Sequence, residues 1–377
     1  MKWLFWVSVA FASYTYVVYP LILFLLSRLF PCPIRRQECT PTITVVIAAR
    51  NEERNIGKRL ENLLEQDYTP ERFEIIVVSD GSTDRTNEIV ASFAQRNISL
   101  IYIVEKTGKA EALNRGVAKA TGEIIVFADA RQFFASDVLR ILGTNFSDPS
   151  VGCVSGELIL IEDAGSAINA EMGAYWKYEK MVRRLESTSG MVVGATGAIY
   201  AIRKTLYRPL PNGTILDDVI TPMNIALQGF RVVFDDAALA YDVVSKDIEQ
   251  EWTRKVRTLA GNWQLLDMAR SLGNSCCLPF WWRFLSHKIF RLLVPFVLPC
   301  MLIASLVSMG ILYQVALFFQ LTVYLAALAG YMIPAWRKIR LVNAALFFVV
   351  MNLAAIVGCW RWASGNCEIT WRPSYIK

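Results

Sequence analysis

Acids and cations recur in this chain at places where a folded protein could use them on a phosphate. The run "IVFADARQ" (125–132) is apolar until it breaks off at Asp129, whose hard carboxylate oxygens suit a divalent cation. Arg131 stands two residues on, where a strand end that holds a metal is expected to carry a second acid. Lys109 follows Gly108 at the start of a helical stretch, and an ammonium beside the free N–H groups of a helix N-terminus favours a phosphate. In "ILDDVITPMNIALQG" (215–229) the adjacent carboxylates of Asp217 and Asp218 open another helix, a place where acids also serve simply to complement the helix dipole.

The elements that must position these residues follow a regular pattern. "TITVVIAA", a helical stretch over about 54–66, "FEIIVVSD", a helix over about 84–94, "SLIYIV", a helix over about 109–120 and "EIIVFADA" succeed one another between residues 42 and 130. Short β-branched runs spaced by amphipathic helices predict an α/β domain with a mostly parallel, doubly wound sheet, in which ligands bind at the carboxyl ends of the strands. Those ends carry "ARNEE" (49–53), "SDGSTD" (79–84), "EKTGKAEALNRG" (105–116) and "DARQ" (129–132). Ser82, Thr83 and Asp84 also have the composition of a helix cap, whereas Asp80 precedes the turn. No G-x-G-x-x-G follows the first strand, which argues against a dinucleotide site.

The chain has 377 residues, 54% of them hydrophobic, and the apolar excess lies at its two ends. Residues 3–27 carry no charge and are long enough to cross a bilayer as a helix, so an N-terminal span is expected within 1–30. Three more spans are expected near 292–309, 311–333 and 342–360, ahead of a tail at 361–377. Arg28, Arg35 and Arg36 follow the first span, and Arg337, Lys338 and Arg340 follow the third; a cytosolic domain at 42–270 puts both groups on the cytosolic side. Arg361, Arg372 and Lys377 in the tail would then face the other way, against the rule. "FWWRFLSHKIFRLL" (280–293) is basic and aromatic, and predicts an interfacial amphipathic helix at 278–291. The eight cysteines include no C-x-x-C pair, which gives no zinc site or disulfide framework, and His287, the only histidine, excludes a multi-histidine metal site.

In their order and spacing, "VVIAARNEERNI", "EIIVVSDGSTDRT", "GKAEALNRGVAKATGEIIVFADA", "GATGAIYAIR" and "LDDVITPMNIALQGFRVVF" resemble the membrane-anchored family-2 inverting glycosyltransferases, which include the cellulose, chitin and hyaluronan synthases. The resemblance covers roughly 42–270 and implies a GT-A-like, nucleotide-sugar-binding domain flanked by transmembrane helices. It assigns Glu52 and Asp80, with Asp84, to the nucleotide, and Lys109 and Asp129 to the donor phosphates. The glycine loop of Gly194, Thr196 and Gly197 would shape the sugar pocket. Asp218 would be the general base, with Asp217 in the place of the family's glutamate.

Glycosyl transfer from a nucleotide diphosphate requires neutralisation of the departing diphosphate and a base for the acceptor hydroxyl. The chain departs from the family pattern twice. Arg131 replaces the second acid, which leaves Asp129, the diphosphate and water to hold a Mg²⁺ or Mn²⁺ ion. In "QEWTRKVRTLAGNWQ" (250–264), the register set by Gly261 aligns Arg254, Arg257 and Thr258 with the glutamine, arginine and tryptophan of a processive synthase. Arg254 and Arg257 are thus expected near the diphosphate, while Trp252 and Trp263 either replace the missing stacking platform or pack the helix against the membrane.

The reading is an integral protein of the plasma (inner) membrane that moves a hexosyl or N-acetylhexosaminyl group, with UDP as the expected nucleotide, to a lipid-linked or oligosaccharide acceptor; nucleic acid has no part in it. A processive synthase that also secretes its product is the alternative, for which four spans are few and an oligomer would supply more. A transporter with a nucleotide-sugar-sensing domain is the rival of another class, and the few charges within the spans argue against an ion path.

Overall fold

The computed structural model describes residues 1–94, 96–161, 169–243, 248–271 and 277–365; most of the expected tail lies outside them. The chain begins with α1 (Lys2–Ser13), which passes through a π-helical turn at Tyr14–Val18 into α2 (Tyr19–Leu29). Together they form one apolar helix of 28 residues, long enough to span a bilayer.

The central domain then alternates as expected: β1 (Ile43–Ala49), α3 (Ile56–Leu64), β2 (Phe73–Asp80), α4 (Thr86–Ala91), β3 (Ile98–Ile103), α5 (Lys109–Lys119) and β4 (Ile124–Ala128). Every residue of β1 and β4 is buried, as apolar runs covered by helices on both faces must be. On α3, Ile56, Leu60 and Leu63 recur at helical spacing and bury one face of that helix.

The second half contributes β5 (Phe133–Phe134), α6 (Val138–Thr144), β6 (Val151–Ile161), α7 (Asn169–Thr188), β7 (Ile199–Arg203), α8 (Asp217–Leu227), β8 (Arg231–Val243) and α9 (Ile248–Ser271). All eight strands join one sheet in the order β3-β2-β1-β4-β7-β6-β8-β5. The first four are mutually parallel; β7 then runs antiparallel to both β4 and β6, so the sheet is mixed. In register, Ala49 of β1 lies opposite Ser79 of β2, and Ala128 of β4 opposite Ile47. Pairing thereby brings the loops after β1, β2 and β4 to the same edge.

The C-terminal helices begin with α10 (Leu278–Phe284), which continues through a π-helical turn at Leu285–Ile289 into α11 (Phe290–Val307). α12 (Ile311–Met332) and α13 (Arg340–Ala363) follow. The helices Leu278–Val307, Ile311–Met332 and Arg340–Ala363 are each long and apolar enough to cross a membrane. The segment expected as a separate interfacial helix, 278–291, is instead continuous with the first of these. Arg283, His287 and Arg291 on it take partners on and beside α7, which draws Phe280, Arg283, Phe284 and His287 into the protein interior.

Close contacts hold α9 against its neighbours. Gly261 packs so closely on the segment before Asp217 that a β-carbon there would lie 2.7 Å from Leu216 Cγ. Trp263 is buried and stacks on Trp362 of α13, with ring centroids 5.9 Å apart. Of the two roles open to this tryptophan, it takes the packing role.

Candidate active site

The loops after β1 and β2 interlock. Asn51 adopts φ +52°, a left-handed conformation that asparagine tolerates better than most residues. Its N–H donates to Ser82 Oγ (3.1 Å), and its Oδ1 accepts from the Thr83 N–H (2.8 Å). Asp84 Oδ2 accepts from the Glu53 N–H (3.1 Å) and Oδ1 from the N–H and hydroxyl of Thr86, the first residue of α4, so this acid ties the two loops together at the start of that helix. Glu52 is buried and accepts from Asn55 Nδ2 at 2.8 Å. Burial raises its pKa above the ordinary carboxylate value, opposed by the Asn55 hydrogen bond and the charge of Arg131.

Asp80, fully buried, spends both carboxylate oxygens on the next loop. Oδ1 accepts from the N–H and hydroxyl of Thr107 at 2.7 and 3.0 Å, and Oδ2 from the Gly108 N–H at 2.9 Å. These bonds fix the turn from which α5 starts, and hence the direction of Lys109.

Lys109 is the centre of the arrangement. Its Nζ lies 3.1 Å from Asp129 Oδ1 and 3.3 Å from Asp217 Oδ1, joining the end of β4 to the start of α8. Burial disfavours its charge, but Asp129, Asp217 and Asp218 together hold its pKa above the ordinary lysine value. Asp217 is buried and also accepts a long hydrogen bond from Tyr200 Oη (3.4 Å), whose ring stacks on Phe127 of β4.

Asp218 differs from its neighbour. It keeps some exposure to solvent, and its carboxylate lies against the glycine loop, where a β-carbon at Gly197 would come within 3.0 Å of Asp218 Oδ2. Burial, then the charge of Asp217, push its pKa up to about 6, against the opposing charges of Lys109, Lys288 and Arg183. The loop is pinned on the other side: Thr196 N–H donates to Ser155 Oγ (2.9 Å), Thr196 Oγ1 to the Gly156 carbonyl (2.9 Å), and Arg183 to both Thr196 Oγ1 (2.6 Å) and the Gly194 carbonyl (3.3 Å).

Arg131 turns to β8, where its Nη2 lies 2.6 Å from Asp242 Oδ2; Gln132 donates to the same oxygen at 3.1 Å. On α9, Trp252 and Arg257 are partly exposed and Arg254 is exposed. Thr258 is also exposed and donates to the Arg254 carbonyl at 3.0 Å. The structure thus brings Lys109, Asp129, Asp217, Asp218 and the glycine loop together, and uses Asp80 and Asp84 to hold the adjoining loops. Tyr200, Arg183 and Lys288 were not singled out in the sequence. Tyr200 lies within the quoted "GATGAIYAIR", whereas Arg183 sits in an ordinary charged helix and Lys288 in a segment read as interfacial.

A mixed sheet with carboxylates and a lysine at its strand ends, set on membrane-length helices, is a GT-A-like glycosyltransferase fold. Residues 44–210 match the model of glycosyl transferase family 2. The chain is 25% identical over 229 residues to the poly-beta-1,6-N-acetyl-D-glucosamine synthase of Staphylococcus aureus (strain COL), a match covering 59% of this chain and 55% of that protein. The probable glycosyltransferase YdaM of Bacillus subtilis (strain 168) is 26% identical over 243 residues, with the same coverage. The match therefore spans about half the length of these curated relatives. Among solved structures, the mannosyltransferase PcManGT from Pyrobaculum calidifontis, in complex with GDP-Man and Mn²⁺, superposes with a TM-score of 0.72 at 24% identity, covering 96% of this chain and 99% of that one. The shared fold thus extends over the helices at both ends.

Proposed function

We propose that the protein is an inverting glycosyltransferase that takes a sugar from a nucleoside diphosphate donor and adds it, at the membrane surface, to a lipid-linked or oligosaccharide acceptor. The observation that carries this reading is the placement of Lys109 between Asp129 and Asp217, with Asp218 beside the glycine loop. Lys109 can exchange a carboxylate for a donor phosphate without leaving its site. Asp218, with a pKa near 6, is ionised at neutral pH yet basic enough to accept the acceptor's proton as the sugar carbon is attacked.

A divalent cation fits this site through Asp129, whose side chain is 34% exposed. Among the described residues no cluster of three acids, histidines or cysteines could hold one, so the remaining ligands would be donor phosphate and water. When bound, it would neutralise the departing diphosphate. Arg254 and Arg257 would add fixed positive charge from α9. Glu52 and Asp80 would face the nucleotide, Asp80 chiefly by holding the 107–108 turn. UDP is the nucleotide expected from the resemblance, while the mannosyltransferase of similar fold is described with GDP-Man.

The catalytic domain is read as cytosolic in a bacterial-type inner membrane, because the basic clusters at 28–36 and 337–340 fall on one side of a four-span arrangement. A processive synthase is the second reading, favoured by the likeness to a polysaccharide synthase. Incubation of purified protein with a panel of UDP- and GDP-sugars, read out as nucleotide release, tests the main reading. No release with any donor, in the presence of Mg²⁺ or Mn²⁺ and membrane extract as acceptor, would overturn it.

A further inference from the structure

The helix that opens with Asp217 and Asp218 starts without a side-chain cap. The N-cap of α8 is Leu216, whose carbonyl accepts from the Val219 and Ile220 N–H groups at 3.2 and 3.1 Å. With no capping hydroxyl or carboxylate to fix this turn, the position of its first residues depends on what packs against them. The glycine loop holds one side, the Ala195 N–H donating to the Asp218 carbonyl at 2.7 Å. The residues that lead into the helix, 213–216, are held by α9.

Gln264 of α9 spends both ends of its amide on this segment. Its Oε1 accepts from the Ile215 N–H at 3.1 Å and its Nε2 donates to the Gly213 carbonyl at 2.9 Å, a pairing that needs an acceptor and a donor on one side chain. Gly261 lies three residues earlier and so on the same face of the helix. A β-carbon there would come within 2.7 Å of Leu216 Cγ and 2.9 Å of Ile215 Cγ2. The adjoining face of α9 rests on α13, a helix of membrane length. A β-carbon at Gly358 would stand 2.9 Å from the Ala260 backbone nitrogen, and Trp263 Nε1 donates to the Ala355 carbonyl at 3.4 Å. At Gly358 backbone meets backbone, with no flexible side chain between the helices to absorb a displacement.

We infer that Gln264 is a positioning residue for sugar transfer: by clamping 213–215 to α9 it sets where Asp217 and Asp218 stand, and α9 takes its own position from α13. This rests on the transferase reading, in which Asp218 is the base. Gln264 acts through the backbone before the acids. The path runs from Gly358 to Ala260, along α9 to Gly261 and Gln264, and on through Gly213, Ile215 and Leu216 to the acid pair. A helix of membrane length thereby takes part in placing the base, while the donor contacts at Asp80 and Lys109 are held by other loops.

The test uses the full chain in detergent, with the UDP- or GDP-sugar that gives the wild type its fastest nucleotide release. Gln264→Met keeps the length and bulk of the side chain but neither hydrogen bond. Its kcat per nucleotide-binding site should fall roughly ten- to a hundredfold, the cost of a small misplacement at a reacting group, with the donor KM unchanged. Counting sites by the stoichiometry of UDP or GDP binding removes any unfolded fraction from the comparison. Gly358→Ala, on α13, should show the same split between kcat and KM. A purely structural glutamine would lower the melting temperature and the number of sites but leave kcat per site at the wild-type value, and that result in Gln264→Met would overturn the inference. A rise in donor KM that accounts for the whole loss would overturn it too, because the effect would then lie with the donor contacts. Wild-type kcat per site in Gly358→Ala would overturn the link to α13; if that variant does not fold, Gln264→Met alone decides the clamp. Absence of nucleotide release from the wild type would instead mean that the transferase reading fails.

Discussion

Gly197 lies so close to Asp218 that an added β-carbon would stand 3.0 Å from the carboxylate Oδ2, which would have to give by a few tenths of an ångström. The glycine therefore sets where the proposed base can lie. Gly197→Ala is expected to displace that carboxylate and lower transfer by roughly 10–10², the cost of a small misplacement at a reacting group. Nucleotide affinity should be kept, and a thermal melt should show a modest loss, about 1–3 kcal/mol for overpacking. Unchanged turnover in Gly197→Ala would separate the loop from the base.

The raised pKa of Asp218 makes activity depend on pH in a defined direction. The ionised form is the one that works, so kcat should fall as pH drops through about 6 and level off above it. Asp218→Asn should lower transfer by roughly 10² to 10⁴ with donor binding nearly intact, and should remove this acid limb. Asp217→Asn should lose much less, because Lys109 retains Asp129 as a partner. If Asp217→Asn is the inactive variant instead, the base is Asp217.

Asp80 is expected to act on the donor through the turn it holds. In Asp80→Asn, one carboxylate oxygen becomes an NH₂ that faces the N–H of Thr107 or Gly108, and α5 loses its fixed start. The KM for the donor should rise about tenfold or more, with a smaller effect on kcat. A kcat loss without any KM change would contradict this division.

Metal dependence should survive the arginine at position 131, because that side chain is committed to Asp242. EDTA should abolish activity and Mg²⁺ or Mn²⁺ restore it. Arg131→Ala should leave the metal response in place while lowering the melting temperature, since it leaves the buried Asp242 without its charged partner. Activity indifferent to EDTA would remove the cation from the proposal.

Product length reports on α9. Thr258 is exposed where a stacking tryptophan is expected of a processive enzyme, and Trp263 is consumed by packing on Trp362. Short additions are therefore expected by gel or mass analysis of the product. Long chains from few initiation events would show processivity and direct attention to Trp252, which remains partly exposed.

The alternation of β-branched runs with amphipathic helices is a local signal, and it was enough to order β1 to β4, to place Asp80 and Asp129 at strand ends, and to mark the apolar helices at both termini. Strand pairing follows from it because a buried parallel strand has few other places to go. What a side chain touches is a different matter. Arg131 and Asp242 are 111 positions apart, and only the packing of β5 against β8 turns the arginine away from Asp129. Lys109 meets Asp217, and Arg183 of α7 reaches the glycine loop at Gly194 and Thr196, because the sheet order and the packing of α7 bring distant segments together. The basic, aromatic stretch at 278–291 reads locally as a surface helix, yet Glu179 and Glu186 on α7 offer His287 and Arg291 partners that water would otherwise supply. Periodicity and capping encode the elements; charge pairing and burial, which depend on every element packed nearby, decide which residues share a site.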